Sequence, residues 1–259
     1  MKIFSFGFLR PFLLLCILFA VAGITAHQII YSRAWHKPLD VVIYPINADN
    51  DLKTHNYINT LSRDNFTEID DWFAAEAKRH KLPLDQPIRM QLGPRVDSVP
   101  PELPVNKSVL RTVLWGLRLR FWVWSNTPDD SSNLRRVRVF IAYQQGSEDT
   151  PLAHSVGLQK GLIGVVNAFA QKQQNKQNNI VIAHEILHTV GASDKYNFYG
   201  SPEFPFGYAN PNREPLYPQR YAEVMSGRIP TSAYSSYMAR SLKSVRINSL
   251  TASEIAWLD

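Results

Sequence analysis

The sequence predicts an α/β or α+β domain with a mostly continuous sheet, carried behind an apolar N-terminal segment. Three observations predict it. Runs of strand length rich in β-branched residues recur between residues 39 and 169, an amphipathic helical stripe lies among them, and an apolar helix follows the last of them near residue 180. The 259 residues are 45% hydrophobic and 19% charged, which excludes a disordered chain and is enough to close a core. The 17 Pro and 12 Gly follow no G-X-Y period, which excludes collagen-like and repeat architectures. A formal charge of +6 and a pI near 9.4 are only mildly basic, so no nucleic-acid partner is expected.

The first 30 residues read as a signal peptide or signal anchor, 31–38 as a linker, and 39–259 as the domain. Lys2 and Arg10 precede the apolar run PFLLLCILFAVAGIT from Pro11 to Thr25, and no acid appears before Asp40. A cut at Ala20-Val21-Ala22 or near Ala26 would release the domain. Without a cut the segment would anchor it in the membrane, although a core of ~13–15 residues is short for a span of ~20. In both cases the positive charge stays inside, so the domain is expected to be extracytoplasmic, secreted or held by a single membrane pass. The sole cysteine, Cys16, lies in this run. A Cys-based zinc site is therefore excluded, and any metal must be held by His and carboxylates.

Leu39 to Ile46 (LDVVIYPI) is predicted as a strand ended by Asn47-Ala48-Asp49-Asn50. Phe66 to His80 places Phe66, Ile69, Trp72, Phe73 and Ala77 on one helical stripe, with acids early and Lys78, Arg79, His80 late, as the helix dipole favours. Ile88 to Leu92 is a second strand. Val109 to Trp115 reads as a helical turn stopped near Gly116. The alternation of Leu117 to Trp124, a turn-rich Ser125 to Asn133, and the alternation of Leu134 to Tyr143 read as a hairpin. Arg118 and Arg120 share a face with Trp122 and Trp124. That face is either solvated, with Arg stacked on Trp, or a contact for substrate or a membrane surface. Leu162 to Phe169 is another strand, and the polar Lys172 to Asn179 is expected to be a loop running into the next helix. Thr251 to Leu258, capped by Thr or Ser with Glu254 following, closes the chain as a C-terminal helix.

The chemistry concentrates in Asn179 to Tyr196, NIVIAHEILHTVGASDKY. His184 and His188, four apart, lie on one helical face. Their imidazoles can hold one Zn²⁺ at ~2.0–2.1 Å. Glu185 follows the first His, within reach of a water at such a metal. The alternative is a His pair that is exposed or satisfied by hydrogen bonds. Ile180, Val181, Ile182, Ile186, Leu187 and Val190 make this a buried helix, in which unsatisfied polar groups are costly. Gly191 can take the left-handed conformation that ends a helix. After that turn, Asp194 can supply a third ligand and leave a fourth position open, or it can serve as a local turn residue.

HEILHTVGASD resembles the HExxHxxGxxH/D signature of the metzincin zinc endopeptidases, with the Asp form similar to the snapalysin-type enzymes. Ala222 to Arg228 (AEVMSGR) resembles their Met-turn, with Met225 packing below the ligands and binding no metal. More weakly, Leu152 to Ser155 and Gly161 to Gly164 are similar to the stretch leading into the edge strand of matrixins; His154 is read as a structural histidine. The resemblance implies a twisted, mostly parallel sheet of about five strands with the zinc helix and a C-terminal helix. It implies one catalytic Zn²⁺ on His184, His188 and Asp194, Glu185 as general base, and a peptide or protein substrate. It also implies that the Pro- and aromatic-rich Tyr196 to Tyr221 walls the pocket for the residue after the cut bond. The sequence departs from the family in its Asp ligand, in Gly227 where some members place a Tyr, and in lacking a domain cysteine for a thiol latency switch. Two other readings remain: a non-catalytic, metal-bearing binding module, and a zinc hydrolase of a non-protein amide.

Overall fold

The computed structural model describes residues 6–104, 108–127, 136–146, 155–159 and 161–258. The elements in chain order are α1 (Phe6–Arg33), β1 (Leu39–Asn47), α2 (Leu52–Asn59), α3 (Thr67–Arg79), β2 (Ile88–Leu92), α4 (Val109–Asn126), β3 (Arg136–Gln144), β4 (Val156–Leu158), β5 (Ile163–Phe169), α5 (Asn175–Thr189) and α6 (Ser249–Glu254). Very short strands fill the interval between α5 and α6.

The five-stranded sheet has the order β2-β1-β3-β5-β4. Every pairing is parallel except the last, where the edge strand β4 runs antiparallel to β5. The expectation of a mixed α/β domain on a mostly parallel sheet therefore holds. β1 is central, and its near-continuous apolar run follows from burial on both faces. Leu39, Val41 and Ile43 join a core with Ile69, Trp72 and Phe73 of α3 and Ile182, Ile186 and Leu187 of α5. Val42, Tyr44 and Ile46 point the other way, into a second core with Trp115, Leu119 and Val123 of α4 and Phe140 of β3. The strand period of two sorts the side chains between the two layers.

The predicted hairpin over 117–143 is corrected. Residues Val109–Asn126 form one helix, α4, running straight through Gly116. Leu117 to Trp124 alternates, but Trp115, Leu119 and Val123 also recur every four residues, and burial against the sheet selects that helical period. Only Arg136–Gln144 of the pair is a strand, and its partners are β1 and β5. Most of the turn expected over Ser125 to Asn133 lies outside the described residues, as does His154.

Three boundaries also move. Helix α5 begins at Asn175, inside the expected polar loop, because its first turn is tied down by polar side chains: Asn178 Nδ2 donates to Phe169 O at 2.9 Å and Asn179 Nδ2 to Asn65 O at 3.1 Å. Helix α6 is capped by Asn248 rather than by a Thr or Ser; its side chain accepts from Thr251 N at 2.8 Å. The expected linker is not free. α1 continues to Arg33, whose guanidinium donates to Glu254 O, and Trp35 donates to Ile255 O at 2.6 Å and packs edge-on against Trp257 at 5.5 Å. Among the described residues no helix is long and apolar enough to cross a membrane, so the structure gives the anchor no support. α1 does leave Phe12, Leu13, Leu15 and Phe19 exposed.

The orientation of α4 is testable. Leu119 is fully buried and Leu117 is 57% exposed. Leu119→Ala should cost about 2–5 kcal/mol in urea denaturation, and Leu117→Ala less than about 0.5 kcal/mol. A strand would put both side chains on one face and make the two costs alike.

Candidate metal centre

Helix α5 reaches the site as the innermost helix on the sheet. Ile180, Ile182, Ala183, Ile186 and Leu187 are buried around it. It lies close to the sheet edge because two glycines face each other there: Gly157 of β4 pairs with Gly164 of β5. A Cβ on Gly157 would stand 2.5 Å from both Glu185 O and His188 Cβ, and one on Gly164 would touch Glu185 Cβ at 3.9 Å. The helix ends at Thr189. Gly191, at φ 109°, turns the chain back while its N–H donates to His188 O at 3.1 Å. Its positive φ is the conformation expected for that glycine.

The turn brings Asp194 to the two imidazoles. Asp194 Oδ1 lies 3.1 Å from His188 Nε2 and 3.2 Å from His184 Nε2, and the two Nε2 atoms are 2.9 Å apart. The other nitrogen of each ring faces a main-chain carbonyl: His184 Nδ1 is 3.1 Å from Val224 O, and His188 Nδ1 is 2.8 Å from Ala192 O. A carbonyl can only accept, so each Nδ1 carries a hydrogen; in the neutral ring Nε2 then turns a lone pair inward, and only a protonated ring has a second hydrogen there. Three electron-rich atoms at these separations repel one another unless a shared cation, a proton or a metal, lies among them. Tetrahedral zinc with bonds of ~2.0–2.1 Å needs donors ~3.3–3.4 Å apart. The observed triangle would need to open by only a few tenths of an ångström. The donor set and its carbonyl-fixed tautomers therefore fit zinc, and these three are the one such cluster among the described residues.

Burial pushes the Asp194 carboxyl up, but the His184 and His188 rings, which in their protonated form donate to it and lie beside it as positive charges, outweigh this and hold the group well below the usual carboxylate range. Burial alone would pull the His184 imidazole down; Asp194, Glu185 and the Val224 carbonyl reverse this, so its pKa is raised. Glu185 is 4% exposed, and its Oε2 has no hydrogen-bond partner among the described residues. Burial pushes its carboxyl up, partly opposed by the two His. Burial, followed by the charge and hydrogen bond of Asp194, lifts the Tyr196 phenol to about 12.

Met225 is fully buried in the main core. It sits in a tight turn in which Glu223 O accepts from Ser226 N at 3.1 Å and Gly227 N at 2.8 Å. Val224 of this turn supplies the carbonyl facing His184, and Met225 O accepts from Lys195 N at 3.1 Å. Residues 222–228 thus support both the helix ligand and the chain beside Asp194.

Sequence reasoning missed three supporting residues. Glu223 is fully buried; its Oε2 accepts from Met225 N at 2.5 Å and its Oε1 from Thr251 Oγ1 at 2.6 Å. Glu254 of α6 holds both neighbours of Asp194: its Oε1 accepts from Ser193 Oγ at 2.6 Å, and its Oε2 from Lys195 Nζ at 2.6 Å. Lys195 itself is 2% exposed. The acid two residues before Met225, inside an otherwise apolar turn, was the available signal for Glu223; Lys195 and Glu254 meet only in three dimensions.

No family model matches the chain, and no curated protein matches its sequence. The site is therefore read from its own geometry. Its neighbour, the loop from Tyr196 to Tyr221, has a small interior of its own, in which Tyr208 and Tyr217 share a hydroxyl hydrogen bond at 2.7 Å and Gln219 Nε2 donates to Asn210 O at 2.9 Å and Leu216 O at 2.8 Å. Phe198, Tyr199, Phe204 and Phe206 remain exposed on it.

Two outcomes are expected here. Asp194→Ala should lower zinc affinity by more than about 100-fold in chelator competition, since it removes one of three donors; equal zinc retention would remove Asp194 from the ligand set. Burial raises Glu223 from 4.5 to about 7, against opposing contacts from Thr251, Lys195 and the main chain. The folded state binds this proton more tightly, so the contribution is complete below pH 4.5 and is lost as pH rises through about 7. Urea midpoints of the wild type should fall across that window relative to those of Glu223→Gln, which lacks the titration.

Proposed function

We propose that the chain is a zinc-dependent endopeptidase with a metzincin-like catalytic domain. The observation that carries this reading is the unpartnered, buried Oε2 of Glu185 beside three donors that converge on one point. A purely structural zinc site is closed by its ligands and has no use for a second, unsatisfied carboxylate next to it. Leaving a buried carboxylate oxygen without a donor costs stability, which makes such an atom a mark of function.

In this reading His184, His188 and Asp194 hold the ion. Zinc held there supplies a Lewis acid for an amide carbonyl and a water acidic enough to lose its proton near neutral pH. Glu185 accepts that proton and returns it to the departing amine nitrogen; its raised pKa suits both halves of the task. Val224 O and Ala192 O keep the rings in the tautomer that leaves Nε2 bare. Ser193 and Lys195, both held by Glu254, keep the Asp194 carboxylate in place. Gly191, the buried Met225 turn and the antiparallel edge strand β4 support the metzincin-like part of the proposal. The exposed aromatics Phe198, Tyr199, Phe204 and Phe206 support an apolar residue beside the cut bond. The positively flanked apolar N-terminal run supports an extracytoplasmic location, with that segment removed or retained at the membrane.

The test uses the full chain, zinc-loaded, digesting an unbiased peptide library read by mass spectrometry. Glu185→Gln should keep its zinc and lose at least about 100-fold in cleavage rate. Undiminished cleavage by the variant would overturn the assignment of the base. A zinc-loaded wild type that cleaves no peptide would point instead to the metal-bearing binding module.

A further inference from the structure

Helix α4 has two apolar faces, and only one is used by the fold. Trp115, Leu119 and Val123 face the sheet. On the opposite side Leu110, Val113, Leu114, Leu117, Phe121 and Trp124 are 51–72% exposed. Their spacing of three and four residues keeps them in one continuous stripe along a helix of 18 residues. At about 100° per residue, Arg111 and Arg118 lie roughly 80–100° to one side of the stripe and Arg120 about 80° to the other. The helix contains no Asp or Glu. Beside it the 98–104 segment adds exposed Val99 and Leu103 and a single acid, Glu102. An open groove of about 490 Å³ lies between the two, lined by Val99, Pro101, Leu117, Arg118, Phe121 and Trp122.

We infer that the outer face of α4 is a docking surface for an anionic membrane. Apolar side chains at the centre with Arg111 and Arg118 along one edge match a bilayer interface, where the stripe enters the acyl boundary and these guanidinium groups reach the phosphates. Trp124 and Phe121 supply the bulky rings such interfaces favour. The groove beside Arg118 places an apolar slot next to a cation, as one anionic lipid would require. A second copy of the chain fits less well: a face-to-face pair would bring Arg111 and Arg118 close to like charges, with no acid on the helix to neutralise them. The inference does not depend on the catalytic proposal, since α4 packs on the sheet face away from α5.

The test must separate α4 from α1, whose exposed apolar side chains can bind lipid on their own. In the full chain, Cys16→Ser removes the only native thiol, and Leu117→Cys carries an environment-sensitive fluorophore. Vesicles of phosphatidylcholine with about one-quarter phosphatidylglycerol should shift its emission to the blue, and phosphatidylcholine alone should do so much less. Arg111→Gln and Arg118→Gln should each raise the half-maximal lipid concentration about fivefold. All these positions are exposed, so folding is preserved and far-UV circular dichroism checks it. No shift at residue 117 on the anionic vesicles overturns the inference. So does an equal response to neutral vesicles that ignores both arginine substitutions, and so does a lipid-free shift that grows with protein concentration, which would assign the face to a second copy.

Discussion

The site depends on a repulsion. Two imidazole nitrogens and a carboxylate oxygen are held at 2.9 to 3.2 Å from one another, each presenting electron density to the others. Two main-chain carbonyls cause this by claiming the Nδ1 hydrogens of both rings, so a neutral imidazole here turns no donor toward its neighbour. With the rings neutral, the triangle is stable only around a positive charge.

The rest of the domain is arranged to hold that triangle. Gly157, where a Cβ would collide with Glu185 O and His188 Cβ, lets the edge of the sheet lie against α5. Gly191 bends the chain, and Glu254 grips the residues on both sides of Asp194. Glu223 receives the Met225 N–H and the Thr251 hydroxyl, tying the turn under His184 to α6. α6 thus works as a buttress for the Asp194 carboxylate, although it is only six residues long.

The layer architecture and the residues of the His/His/Asp cluster were legible because each depends on local spacing. β1 and β5 announce themselves by β-branched runs, and His184, Glu185, His188, Gly191 and Asp194 by their separation along one helix and the turn after it. α4 was not legible. A helix with apolar residues on two opposite faces loses its 3.6-residue contrast, and Leu117 to Trp124 then satisfies a two-residue period equally well. The start of α5 was hidden because Asn178 and Asn179 are polar in composition but buried and bonded in place. Lys195 and Glu254 are separated by 59 residues, a distance over which no local pattern carries information. The buried carboxylate of Glu223 was visible as a letter but not as a support, since its partners come from the next turn and from α6.

The clasp between α1 and α6 has a consequence for the cluster. Arg33 and Trp35 bond to the main chain of Glu254 and Ile255, and the Glu254 side chain holds Ser193 and Lys195 on either side of Asp194. The end of α1 and the Asp194 carboxylate are therefore joined through a single residue, so a displacement of residues 33–35 passes to the turn after α5 by way of α6.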